Sequence, residues 1–120
     1  MRFKNLFISF SILFLSIGLS PNLKACELFD LVITKTICNA EKKFAVKINF
    51  GYRDAGEFFT ITGNGKNYGT FAYANLPIII DGLPGDCTTI YEFVITDVNN
   101  QSCHIGKELG KVCCESNCEL

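Results

Sequence analysis

The segment Leu76–Asp97, LPIIIDGLPGDCTTIYEFVITD, constrains the fold of this chain more than any other. It joins a β-branched run, Ile78 to Ile80, to a strand in which Tyr91, Phe93 and Ile95 share one face and Glu92, Val94 and Thr96 share the other. Between them lies a reversal rich in Asp, Gly and Pro. A tyrosine that opens a strand just after such a reversal can bury its ring while its hydroxyl bonds an upstream backbone group, which pins a corner between two sheets. Tyr91 is therefore the expected corner residue, and Ile78 to Ile80 reads as a short buried strand.

The same two-residue period recurs along the chain. In Phe44–Tyr52 it is cleanest, with Phe44, Val46, Ile48, Phe50 and Tyr52 pointing one way and Ala45, Lys47, Asn49 and Gly51 the other. Glu27–Thr34 alternates with Phe29, Leu31 and Ile33 as its apolar face. Further strands are expected over Glu57–Thr62, over Thr70–Ala74 with Phe71 and Tyr73, and over Ser102–Leu109, with Lys111–Cys114 as a last edge strand. Turn-forming residues cluster at Cys38–Lys43, Arg53–Gly56, Gly63–Gly69 and Val98–Gln101. Seven to eight short strands with no amphipathic helix among them predict an all-β sandwich, the class with turn signals roughly every 8–12 residues.

A different logic governs the first 25 residues. Arg2 and Lys4 precede an apolar run, Leu6 to Leu19, and a polar exit, Ser20 to Ala25, in the three-part layout of a secretory signal peptide. The run is short of the ~20 apolar residues that span a bilayer as a helix; an uncleaved leader would nonetheless tether the chain to a membrane. Cleavage after Ala25 would leave 95 of the 120 residues, one domain with a modest core. It would also remove Arg2, Lys4 and Lys24 from eleven basic residues, leaving eight against twelve acidic ones and a net charge of −4. No basic patch remains, which argues against nucleic acid as a partner. The expected domain is 26–114, with 115–120 as a C-terminal tail.

Seven cysteines, Cys26, Cys38, Cys87, Cys103, Cys113, Cys114 and Cys118, all follow the leader and read as disulfide partners in an exported chain. Seven is odd, and any six paired among themselves allow 15 connectivities. Leu23-Lys24-Ala25-Cys26 resembles a lipoprotein lipobox apart from the charge of Lys24. A lipid on Cys26 would leave six cysteines to pair; without it, one thiol is free or bonded to another chain.

The residues offer no catalytic constellation. His104 is the sole histidine, and its spacing to Cys103, Cys113, Cys114 and Cys118 lacks the paired knuckles of structural zinc sites. Gly63–Gly69, GNGKNYG, fails as a phosphate loop because Thr60 and Asn67 stand where a glycine and a Ser or Thr are needed. It reads instead as a hairpin whose tip, Asn64, Lys66, Asn67 and Tyr68, is a candidate binding loop, with Tyr73 taken as a further exposed aromatic. Asp81, Asp86, Glu92 and Asp97 flank the long hairpin without a run of oxygen ligands and read as turn residues bonding their own backbone. Asn100-Gln101-Ser102 is an N-glycosylation sequon. No metal and no cofactor is expected, and the chain does not read as an enzyme.

Leu83, Pro84, Gly85, Asp86, Thr88, Thr89, Tyr91, Glu92, Phe93 and Val94 resemble the corner and following strand of fibronectin type III-like domains. Phe58–Leu76, together with the placing of the cysteines, is similar to the immunoglobulin-like or fibronectin type III-like repeats of exported surface proteins in the Bacteroidetes. The resemblance covers almost the whole mature chain and implies an immunoglobulin-like sandwich. It carries structural motifs and no functional residue. Cys87 stands where those repeats have Gly, so no disulfide pairing is carried over, and no Trp marks the core. CEL at 118–120 repeats CEL at 26–28, which suggests the start of a truncated second repeat. The expected function is a noncatalytic binding or adhesive module at the cell surface, with an unknown protein or carbohydrate as ligand. The alternative is a structural or spacer unit of the cell envelope, anchored through lipid if Cys26 is acylated.

Overall fold

The computed structural model describes residues 25–114. Residues 1–24 and 115–120, on which the signal-peptide, truncated-repeat and Cys118 expectations fall, lie outside the described residues. Seven strands follow in order: β1 (Glu27–Lys35), β2 (Lys43–Arg53), β3 (Phe58–Gly63), β4 (Lys66–Ala72), β5 (Ile78–Pro84), β6 (Asp86–Asp97) and β7 (His104–Cys113). They form two antiparallel sheets, one of three strands in the order β1-β2-β5 and one of four in the order β4-β3-β6-β7. Among the described residues no helix is long and apolar enough to cross a membrane.

The two sheets close on each other through their alternating apolar faces. Phe44, Val46, Ile48 and Phe50 of β2 and Ile78, Ile80 and Leu83 of β5 meet Phe59 and Ile61 of β3 and Tyr91, Phe93 and Ile95 of β6. Val46, Ile48, Phe59, Ile61, Phe93 and Ile95 have no exposed surface. Each such side chain contributes roughly 1.5–3 kcal/mol by leaving water. Edge-to-face contacts bridge the sheets, Phe44 on Tyr91 at 5.3 Å and Phe50 on Phe59 at 5.1 Å between ring centres.

Four details depart from the reading of the sequence. Phe29 does not point into the core with Leu31 and Ile33. A bulge between Phe29 and Val32, with Asp30 at φ 56°, inserts an extra residue and resets the alternation. Leu28, Leu31 and Ile33 therefore pack on the core, while the Phe29 ring lies over Gly51 on the outer face, under the Arg53 guanidinium. Ile79 is 57% exposed, because β5 is an edge strand with one wet face and only Ile78 and Ile80 are buried. Tyr73 is not in a strand: β4 stops at Ala72, and Tyr73–Asn75 is a 3-10 turn. Ser102–Leu109 and Lys111–Cys114 are one strand, since Gly110, at φ 95°, absorbs a bulge between the pairs Tyr91↔Gly110 and Glu92↔Glu108 without breaking it.

Three disulfides complete the fold: Cys26–Cys103, Cys38–Cys114 and Cys87–Cys113. The first joins the residues just before β1 and β7, and the second joins residues beyond the ends of the same two strands. Both ends of the seam where the sheets meet are thus clamped, and between them Lys107 Nζ donates to the Leu31 carbonyl at 3.3 Å. Three bridges suit an oxidising extracellular compartment.

Candidate functional site

At the β5–β6 corner, Tyr91 is buried and its hydroxyl donates to the Pro84 carbonyl at 2.6 Å. Burial, then the negative charge of Asp86, then Tyr68 push the Tyr91 hydroxyl up from its ordinary pKa, so it stays a donor. Gly85, between the two residues, donates to the Lys42 carbonyl and accepts from the Cys114 amide. A Cβ at Gly85 would overlap the Cys114 sulfur, so this position requires glycine. The corner, the β1–β2 loop and the end of β7 are consequently one knot around the Cys38–Cys114 bridge.

Asp86 opens β6 from the solvent side of that knot. Its carboxylate accepts from the Thr89 and Thr88 amides at 2.9 and 3.0 Å and from the Thr89 hydroxyl at 2.8 Å. These bonds, the Thr89 amide foremost, hold its pKa well below the ordinary carboxylate range. Its stabilising contribution is therefore complete above the unfolded carboxylate pKa of about 3.9 and is lost as pH falls through the lower folded value. Asp86→Asn should lower the melting temperature at neutral pH, and the gap from wild type should shrink in melts recorded below about pH 4. A gap that stays constant into strong acid would refute this role.

The hairpin tip is fastened to its own sheet by two asparagine side chains. Asn64 and Gly65, at φ 55° and 71°, make a two-residue turn that Asn-Gly favours. Asn64 Nδ2 donates to the Ile90 carbonyl at 2.6 Å and its Oδ1 accepts from the Glu92 amide at 3.2 Å, which extends the β3–β6 ladder past its last backbone pair. Asn67 Oδ1 accepts from the Gly69 amide at 2.8 Å. Tyr68 is half-buried against Phe93, and Lys66 Nζ lies 5.6 Å from its ring centre. Of the four residues, then, Asn64 and Asn67 spend their side chains on their own backbone, while Lys66 stays in solvent.

Tyr73 is not an exposed aromatic: it is 4% exposed and packs on Phe50, Phe59 and Tyr52. Its hydroxyl donates to Asp97 Oδ1 at 2.7 Å. Asp97 is 1% exposed and also accepts from the Gly56 amide at 2.9 Å and the Asn99 amide at 3.0 Å. Burial first, and then the bond to Asp97 and its charge, push the Tyr73 hydroxyl far above its ordinary pKa. Asp97 does bond the backbone of its own turn, at Asn99, but it is also buried and staples three connections together. The sequence did carry a signal for it: Asp97 stands at the next inward position after Tyr91, Phe93 and Ile95, and a carboxylate there requires donors.

The other singled-out residues are dispersed. Asp81, Glu92 and His104 are exposed. Asn100 Oδ1 accepts from the Ser102 amide and hydroxyl, at 3.2 and 2.7 Å, in the exposed β6–β7 turn. Among the described residues no three His, Cys, Asp or Glu side chains gather as a metal-holding group.

One surface escaped the reading of the sequence. On the outer face of the three-stranded sheet a shallow hollow of about 440 Å³ is lined by Asp30, Val32 and Thr34 of β1, by Lys47, Asn49, Phe50 and Gly51 of β2, and by Pro77 ahead of β5. Asp30 and Val32, on its β1 side, lie at the bulge that follows Phe29. The Phe29 ring, lying over Gly51, borders it. A carboxylate, an amine, an amide and a hydroxyl face one another there beside an apolar Val32. Compared with protein-family models, curated proteins and solved structures, the chain matches none of them.

Proposed function

We propose that this chain is an exported, noncatalytic β-sandwich module of the immunoglobulin-like, fibronectin type III-like kind that binds a carbohydrate or protein ligand at the cell surface. The strand order supports the finer fold: the fourth strand pairs with the third, giving three strands against four, where a constant-type immunoglobulin domain pairs it on the opposite sheet. The bond from Tyr91 across the corner supports it as well. The observation that carries the binding reading is the hollow on the three-stranded sheet. Its polar side chains stand on strands rather than on loops, so they are held in place before a ligand arrives.

On an array of glycans and extracellular proteins, saturable binding is expected, weakened at least tenfold by Lys47→Ala, a change at an exposed side chain that should leave the melting temperature where it is. Absence of saturable binding to any member of the array would sink the reading.

The spacer alternative draws on the hairpin tip, where Asn64 and Asn67 both bond the backbone of their own sheet. A lipid anchor at Cys26 belongs to the spacer alternative only in a form of the chain in which Cys26 is not bonded to Cys103.

A further inference from the structure

We propose that Cys87–Cys113 is an exchangeable disulfide on an otherwise locked scaffold: a surface site at which a thiol-bearing partner or a small dithiol opens one bridge while the other two stay closed. Three observations single it out. The first is access. Cys103 and Cys114 are buried, at 5% and 9% exposure, so each of the other two bridges has at least one sulfur-bearing residue shielded by the core. Neither Cys87 nor Cys113 is buried, and Cys113 is exposed on the last residue of β7. Exchange requires a thiolate to approach a disulfide sulfur, so access decides the rate among bridges in one molecule.

The second observation is local backbone. Cys87 has φ 66°, in the left-handed region that a residue with a Cβ seldom adopts. It also sits where the β6–β7 register shifts between Asp86↔Cys113 and Ile90↔Lys111. The bridge therefore spans an irregular stretch, and opening it frees a disfavoured conformation without unzipping a ladder. The third is containment. Residue 114 is tied to Cys38 and its amide donates to Gly85, so the end of β7 remains fastened when residue 113 is released. The two seam bridges hold the sheets; the third holds only its own bulge.

The chemistry balances with a dithiol as the named co-reactant. One of its thiolates attacks the Cys113 sulfur, forming a mixed disulfide and expelling Cys87 as a thiolate that takes up a proton. The second thiol, deprotonated, attacks the mixed disulfide and releases Cys113 as a thiolate, which is protonated in turn. Two electrons pass from the dithiol, which closes as a cyclic disulfide, to the protein bridge. With a protein monothiol as the attacking partner, the first step alone leaves that partner covalently joined to Cys113.

The test is graded reduction of the oxidised mature chain with dithiothreitol, quenched by alkylation and mapped peptide by peptide, with Cys118 scored separately. Cys87 and Cys113 should take up label at least tenfold faster than Cys26, Cys38, Cys103 and Cys114. Equal rates, or earlier labelling of either seam bridge, would overturn the proposal. The Cys87→Ser, Cys113→Ser variant should retain both remaining bridges by mass and a single cooperative melt. Failure of that variant to fold would show that the bridge is a scaffold element and would equally overturn it.

Discussion

Replacing Cys38 and Cys114 together by serine should lower the stability of the domain by about 3.5 kcal/mol, the loop-closure constraint expected for a ring of about 25 residues. With Cys26–Cys103 closed, that ring runs through 26–38 and 103–114, so the second bridge constrains the two chain ends rather than the whole 76-residue span between its cysteines. Its place in the fold adds to the effect, because Gly85 accepts from the amide of residue 114 and donates to Lys42, beside the Tyr91 corner. For a domain of this size the loss corresponds to a fall in melting temperature of roughly 20 °C. Gly85→Ala should reach a similar outcome by another route, since its Cβ would overlap the Cys114 sulfur and drive the bridge or the corner out of place. Denaturant unfolding with the other bridges intact measures the first change, and non-reducing mass analysis after alkylation detects the second. A double serine variant within 1 kcal/mol of wild type, a small fraction of the expected effect, would refute the role given to this bridge.

Asp97→Ala should cost about 3 kcal/mol, the second-largest single effect expected. The substitution strands the Tyr73 hydroxyl and the Gly56 and Asn99 amides, which lose a charged acceptor at 2.7–3.0 Å. Three donors stranded at a buried or part-buried site are more damaging than one missing bond, so Tyr73→Phe, which leaves Asp97 with both amides, should cost only about 1.5 kcal/mol. The order of the two variants is the diagnostic result. If Tyr73→Phe proves as damaging as Asp97→Ala, the carboxylate is not what organises this end of the sandwich. Because the folded state holds the Tyr73 proton more tightly than the unfolded chain, this contribution is complete below the unfolded tyrosine pKa of about 10 and fades as pH climbs through the higher folded value.

How much of this was legible depends on whether a residue's partner is local. Phe44 to Tyr52 and Tyr91 to Ile95 announce themselves because a strand with one dry face must alternate, whatever lies across from it. Phe29 misleads for the same reason in reverse. Strict alternation assigns it inward, and only pairing against Gly51 shows that the bulge at Asp30 has turned it out. Tyr73 has the composition of a strand residue, yet the turn that buries it is fixed by a bond to Asp97, 24 positions away. The hairpin tip was correctly placed as a turn by Asn-Gly, but that the Asn64 side chain would complete the backbone of β6 was not legible, since Ile90 and Glu92 lie far along the chain. The hollow on the three-stranded sheet had no local signature, since its walls come from strands that meet only after folding.

Alternation, turn residues and cysteine content were enough to dictate an all-β, two-layered chain with crosslinks, because each acts over a few neighbours or over composition as a whole. Which cysteines join, that β5 pairs with β2 and β6 with β3, and that Asp97 gathers three connections were settled only by the tertiary structure. Those are choices among long-range contacts of similar local quality. What separates them is whether both sheets, the seam of β1 against β7 and every buried donor can be satisfied at once.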